Sequence, residues 1–238
     1  MTARLESLVH SLLELSSPDE TGSRRLPPER ELCARLDISR GALREQLAML
    51  ENLGVLHRRQ GHGSYLDAPD AAFVRTSFTL MRHLGYLDDQ EFTQAREMIE
   101  ETVAAAAAPL VTDDDIAVLH ALVDEIIART EDADDEGAAA ADLAFHNRLY
   151  AIVDNPIFNM LGGGLTHVLS ENVQGRRALA RLAAERDPDG ALRTDTVHRD
   201  IIDALENRDA DAARRAMRKH FDVFTLVASP AAQQKAAI

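Results

Sequence analysis

The chain has 238 residues, 45% of them hydrophobic and 28% charged, enough for one or two domains that each bury a core. Forty acidic side chains against 26 basic ones leave a formal charge of −14. That balance excludes a polyanion binder with a uniformly basic surface.

In chain order, Leu5, Leu8, Val9, Leu12 and Leu13 recur at helical spacing and predict a helix near 3–15. Glu6 and Glu14 interrupt its apolar stretch and no small-residue cleavage site follows, so it reads as an amphipathic helix rather than a signal peptide. Residues 16–25, SSPDETGSRR, read as a turn-rich loop. PPERELCARL, 27–36, opens on Pro and acidic residues, as a helix N-terminus should. Leu32, Cys33 and Leu36 make its apolar face, leaving Arg30, Glu31 and Arg35 on the polar side. The single cysteine excludes an intramolecular disulfide, and no apolar run nears the roughly 18 residues of a bilayer span. Both features point to a cytoplasmic protein without a membrane partner.

Asp37 and Ile38 form a tight connection, and Ser39 is a good N-cap for RGALREQLAMLENLG, which ends at Gly54. Leu43, Leu47, Leu50 and Leu53 are its buried stripe. Residues 55–59 and 64–66 are short strand-like runs around Gln60-Gly61-His62-Gly63, a glycine-flanked hairpin tip. This order of helices and hairpin within 66 residues is a winged helix-turn-helix. Arg40 and Arg44 are four residues apart, on one helix face, about a quarter turn from the leucine stripe. Arg40 lies in the first turn, from which a recognition helix reaches base edges, and Arg is the commonest reader of guanine. Arg30 on the preceding helix is placed for a phosphate, and Arg58 and Arg59 flank the wing. Residues 24–63 hold eight Arg against five acidic residues.

The run RLPPERELCARLDISRGALREQLAMLENLGVLHRRQGHGSYL resembles the GntR-type winged helix-turn-helix almost continuously over 26–66. The resemblance implies that Arg30, Ser39, Arg40, Gly41 and Arg44 are DNA-contacting positions, with Gly61 and His62 at the wing tip. Pro28 stands where the family usually has Ser, so the side-chain N-cap is lost there.

The boundary falls near 67–71, giving a DNA-binding domain over 1–68 and a second domain over 72–230. Residues 1–66 are neutral, so the entire negative excess lies beyond them. No strand pattern appears there. Helices are predicted near 70–84, 88–108, 112–130, 138–153, 156–184, 191–206 and 209–228, punctuated by Pro109, Pro156 and Pro188. Residues 131–137, EDADDEG, read as an exposed acidic loop. The fold class is therefore mainly α, a winged helix-turn-helix followed by an all-α bundle.

Several polar residues of this half sit on apolar stripes. Asp142 and His146 share a face with Leu149 and Val153; His198 goes with Ile201, Ile202 and Leu205; His220 with Ala213, Met217, Phe221 and Phe224; Arg96 with Phe92, Ile99 and Val103. A lone histidine on such a face reads as a satisfied core residue, but several buried charges need partners. One arrangement satisfies the set: Asp142, His146, His198 and His220 hold one divalent cation. Three imidazoles and a carboxylate suit Zn²⁺ first, with Ni²⁺ or Mn²⁺ as alternatives. An octahedral ion keeps positions open for an anionic ligand, whose carboxylate Arg96 neutralises. Asn172 and His167 either line the same pocket or lie on a helix surface.

AREMIE (95–100), DLAFH (142–146), HRDIIDAL (198–205) and AMRKH (216–220) are similar to signatures of the FCD ligand-binding domain. That all-α domain follows the winged helix in the FadR subfamily of GntR regulators. The resemblance implies the same four metal ligands and makes Arg96 an effector contact. Gly162-Gly163-Gly164 departs from the family pattern. The sequence thus points to a homodimeric transcription regulator, expected to repress, with an organic-acid or sugar-acid effector and a palindromic operator on double-stranded DNA. The alternatives are a metal-dependent enzyme, for which no separate general base is visible, and a pure metal sensor.

Overall fold

The computed structural model describes residues 2–19, 23–59, 61–67, 71–170, 185–188 and 190–228. The chain divides into two compact units, Met1–Thr76 and Ser77–Ile238.

The first unit contains α1 (Thr2–Leu15), β1 (Ser17–Pro18), β2 (Arg24–Arg25), α2 (Glu29–Leu36), α3 (Arg40–Asn52), β3 (Leu56–Arg59) and β4 (Gly63–Leu66). Leu12, Leu26, Leu32, Leu43, Leu47, Leu50, Leu56 and Leu66 form its core. The leucine stripes of α1, α2 and α3 therefore meet the wing on one apolar nucleus, while Leu13 stays partly exposed. Pro28 caps α2 without a side-chain bond, as its chemistry requires, and its carbonyl accepts from Glu31 N and Leu32 N at 2.8 and 3.1 Å. Asp37 closes α2 in the left-handed conformation (φ 50°), which makes the short turn into α3. Ser39 caps α3 by accepting from Ala42 N at 3.2 Å.

Residues 16–25 are more than the loop their composition predicts. β1 and β2 pair antiparallel and extend the wing into a four-stranded sheet of order β1-β2-β4-β3. Arg24 opposes Leu66, and Arg25 opposes Tyr65. Strands of two residues are too short to print an alternating pattern; backbone bonds such as Leu26 N to Ser64 O at 2.8 Å define them.

The chain continues as α4 (Ala72–His83), α5 (Asp89–Ala107), α6 (Asp113–Glu131), α7 (Asp135–Val153), α8 (Pro156–Ser170), α9 (Arg193–Thr196), α10 (His198–Glu206) and α11 (Ala210–Ala228). Val103, Leu119, Phe145, Leu149, Ile201, Ile202, Leu205, Met217 and Phe221 fill one core shared by α5, α6, α7, α10 and α11. Ala104, Ala107 and Ala108 are fully buried, so the alanine run is where helices approach closely. Within the glycine run, a Cβ on Gly162 would lie 2.4 Å from the Tyr150 ring, so a side chain there would force that ring to move.

Two expected boundaries move. Most of the acidic segment 131–137 is not loop: α7 starts at Asp135, and Asp134 caps it by accepting from Gly137 N at 2.9 Å. Acidic side chains favour a helix N-terminus, so their density marked a helix start. The helix expected over 191–206 is two pieces, α9 and α10, preceded by a bridge between Arg186 and Leu192. Polar side chains anchor that entry: Arg193 Nη1 lies 3.3 Å from Asp187 Oδ2, and Thr196 Oγ1 touches the same carboxylate. Of the helix expected over 156–184, residues 171–184 lie outside the described residues, and Asn172 with them.

Candidate metal centre and nucleic-acid interface

In the first unit, Arg30, Ser39, Arg40, Gly41 and Arg44 are all exposed, as are Gly61 and His62. Arg30 and Arg40 make no ion pair among the described residues. Arg44 is held: its Nε lies 2.9 Å from Glu29 Oε2. Arg58 lies 3.2 Å from Glu51 and 3.9 Å from Glu29, so one carboxylate on α2 gathers arginines from α3 and the wing. Gly61 has φ 74° and forms the tight turn, closed by His62 N donating to Arg59 O at 2.9 Å. Arg59 stacks over Tyr65, 4.3 Å from its ring centre. Gly41 has open space where a Cβ would stand, so the protein's own packing does not require glycine there. The arrangement presents arginines and a small residue on one helix start, which suits contact with a phosphate backbone and groove floor.

In the second unit, α7 carries Asp142 and His146, α10 opens on His198, and α11 carries His220. One donor atom from each of these four lies within 4.8 Å of every other. His146, His198 and His220 are almost fully buried, at 1%, 0% and 3% exposure. His198 Nδ1 is 2.8 Å from the Asp195 carbonyl, which only accepts, so Nδ1 is the protonated nitrogen. Its Nε2 lies 3.2 Å from Asp142 Oδ1. His146 Nε2 and His220 Nδ1 are buried without a hydrogen-bond partner among the described residues. Burial pushes His220 well below the ordinary imidazole value, and His198 and His146 push it the same way, so its ring is neutral. Three buried imidazoles, with orphaned nitrogens on His146 and His220, around a carboxylate fit a first-row divalent cation, which would take those nitrogens as ligands.

Arg96 lies beside this cluster, its guanidinium 5.5 Å from the Phe221 ring. Its Nε donates to Glu100 Oε1 at 2.6 Å, and the other oxygen of Glu100 touches His146 Nδ1. Glu100 is 1% exposed. Burial would raise its carboxyl, but Arg96 and His146 outweigh that and hold it below the usual carboxylate value. Glu100 follows Arg96 by one turn of α5, a spacing that by itself assigns it no role. Tyr150 is also buried, and its hydroxyl has no hydrogen-bond partner among the described residues. Burial, then Glu100, raises its phenol above the normal value.

The geometry of both units has counterparts among known proteins. The model of the bacterial regulatory proteins, gntR family, matches residues 20–66, and that of the FCD domain matches residues 91–223, more than half of the chain. The chain belongs to the GntR regulators with an FCD domain. It is 29% identical over 207 residues to the HTH-type transcriptional repressor NanR of Cronobacter sakazakii (strain ATCC BAA-894), covering 83% of this chain and 74% of that one. It is 27% identical over 224 residues to the Uxu operon transcriptional regulator of Escherichia coli (strain K12), covering 88% and 80%. The solved structure of Streptococcus agalactiae GntR shares the fold with a TM-score of 0.59 at 23% identity, covering 94% of this chain and 98% of that one. The regulator is therefore a DNA-binding transcription factor, and the enzymatic alternative falls. Among the described residues, none of its helices is long and apolar enough to cross a membrane.

Proposed function

We propose that the regulator binds its operator as a homodimer through residues 1–68, and that residues 72–230 hold one divalent metal, Zn²⁺ first, together with a small organic-acid or sugar-acid effector. The four-donor cluster of Asp142, His146, His198 and His220 carries this reading. An ion held by four protein ligands keeps positions open if six-coordinate, and Arg96 stands beside them to neutralise a carboxylate. The DNA half uses Arg40 and Arg44 for base edges, Arg30 for phosphate, Ser39 and Gly41 for the helix approach, and Gly61 and His62 at the wing. An inverted-repeat operator needs two such helices, hence two chains. Exposed Leu80 and Leu84, one turn apart on and after α4, support a self-association face. The name of the repressor relative favours repression that effector binding relieves.

The test is elemental analysis and operator binding on the purified regulator. About one divalent ion per chain is expected, and His198→Ala should lose it. Full metal content in His198→Ala would reject the cluster as the site. A second reading, a sensor of the metal alone, is favoured by one observation: Glu100 already neutralises Arg96 in the ligand-free chain. DNA release by chelator, with no response to any acid in a screen, would select it.

A further inference from the structure

Glu100 occupies a position that the proposed function leaves without a task. It is a buried carboxylate facing two partners at once, Arg96 through Oε1 and His146 through Oε2. Those partners belong to different ligands in the reading above: the imidazole to the metal, the guanidinium to the effector. A metal-bound imidazole is oriented and made more basic when its second nitrogen donates to a carboxylate. A carboxylate shared with an arginine is a weaker acceptor toward that imidazole, because the guanidinium takes part of its charge.

We infer that Glu100 is the positioning residue that couples the metal to the effector: it fixes His146 with Nδ1–H toward Glu100 and Nε2 toward the metal, and its hold on His146 tightens when Arg96 turns to an anionic ligand. The inference rests on the proposed metal and effector site. It assigns that site a sign. An anion that draws Arg96 from Glu100 strengthens metal binding, and by linkage the metal strengthens binding of the anion by the same factor. The ordinary alternative is that Glu100 simply neutralises a buried arginine, one turn along α5. In that case the His146 contact has no consequence for the metal.

The two are separated with zinc as the probe, on the full chain, by competition with a chelator. Glu100→Gln keeps the shape of the side chain and should weaken zinc binding by about 10- to 100-fold. Arg96→Met mimics the turned-away arginine and should tighten zinc binding by about fivefold or more. In the Glu100→Gln background the Arg96→Met effect should largely vanish, since the path through Glu100 is gone. An effect of Arg96→Met that is equal in both backgrounds is direct charge repulsion of the ion and overturns the coupling. Far-UV circular dichroism and thermal melts of each metal-free variant check folding. A readout needing no variant is the nitrogen spectrum of His146 in zinc-loaded wild type. A proton on Nδ1 is expected; zinc bound through Nδ1, with the proton on Nε2, overturns the inference. Wild type that binds no zinc rejects the proposed function itself, whereas zinc bound equally by wild type and Glu100→Gln rejects only the role of Glu100.

Discussion

Gly41 stands in the first turn of α3, exposed, with nothing within 4 Å of the place a Cβ would take. A helical glycine costs about 0.5–1 kcal/mol relative to alanine, and no internal contact recovers that here. Under the proposed function, the surface that comes close to Gly41 is the DNA backbone beside Arg40. Gly41→Ala is expected to stabilise the free regulator by about 0.5–1 kcal/mol in urea unfolding while weakening operator binding. Unchanged operator affinity in that variant would remove Gly41 from the interface. His220 gives a second prediction at this scale. Its folded-state value lies well below the unfolded 6.5, from burial first and then from His198 and His146; Asp142 opposes the shift and Arg96 adds to it. The unfolded chain takes up a proton below about 6.5 that the folded chain refuses. The His220 contribution to metal-free stability is therefore present above that pH and lost as pH falls. Urea unfolding of the metal-free protein from pH 8 to 5.5 should show this slope, and His220→Gln should flatten it. An identical pH slope in both proteins would contradict a neutral buried imidazole.

At the level of elements, α6 is defined at its start by a reciprocal cap. Thr112 Oγ1 accepts from Asp115 N at 3.2 Å, and Asp115 Oδ2 accepts from Thr112 N at 2.8 Å. Asp115 also touches Arg148 on α7, joining the two helices. Thr112→Ala is expected to cost about 1 kcal/mol of stability. The hydrogen bonds from Thr112 are the main cause holding Asp115 below its ordinary 3.8, so its contribution stands above that pH and fades as acid protonates it. A denaturation midpoint unmoved in Thr112→Ala would show that tertiary packing alone sets the helix start. The stripes of α5, α7, α10 and α11 and the helix α3 with its Ser39 cap were legible because side-chain period and capping chemistry are local. β1 and β2 were not, because Ser17, Pro18, Arg24 and Arg25 carry no strand pattern and owe their conformation to a distant wing. The break before α10 was equally hidden, since Asp187, Arg193 and Thr196 meet through side chains rather than by periodicity. The four-donor cluster was legible from polar residues on apolar stripes. Glu100 was not, because its contact with His146 joins two helices whose register the sequence does not print.

For the whole molecule, charge and chemistry are separated along the chain. The first 66 residues are neutral overall with exposed arginines, while the remainder carries the entire excess of 14 negative charges. The metal-ligating geometry lies within 142–220, and the arginines of the reading surface lie within 30–44. Under the proposed function, control of DNA binding by the metal is a coupling free energy between these two sites. The demand is modest, since a 10- to 100-fold change in operator affinity needs about 1.4–2.8 kcal/mol. Reciprocity makes this measurable without knowing the organic effector. Zinc affinity is determined by chelator competition with and without an operator duplex selected from random sequences. Operator affinity is determined with and without zinc. The two ratios should be equal and differ from one by about fivefold or more. Zinc at 100 times its Kd should also raise the stability of the metal-free protein by about 2.7 kcal/mol. Stabilisation by zinc together with identical zinc affinity on and off DNA would show a metal that builds the sensing unit without controlling the reading one. The anion at Arg96 would then have to carry the signal, because the metal would contribute structure alone.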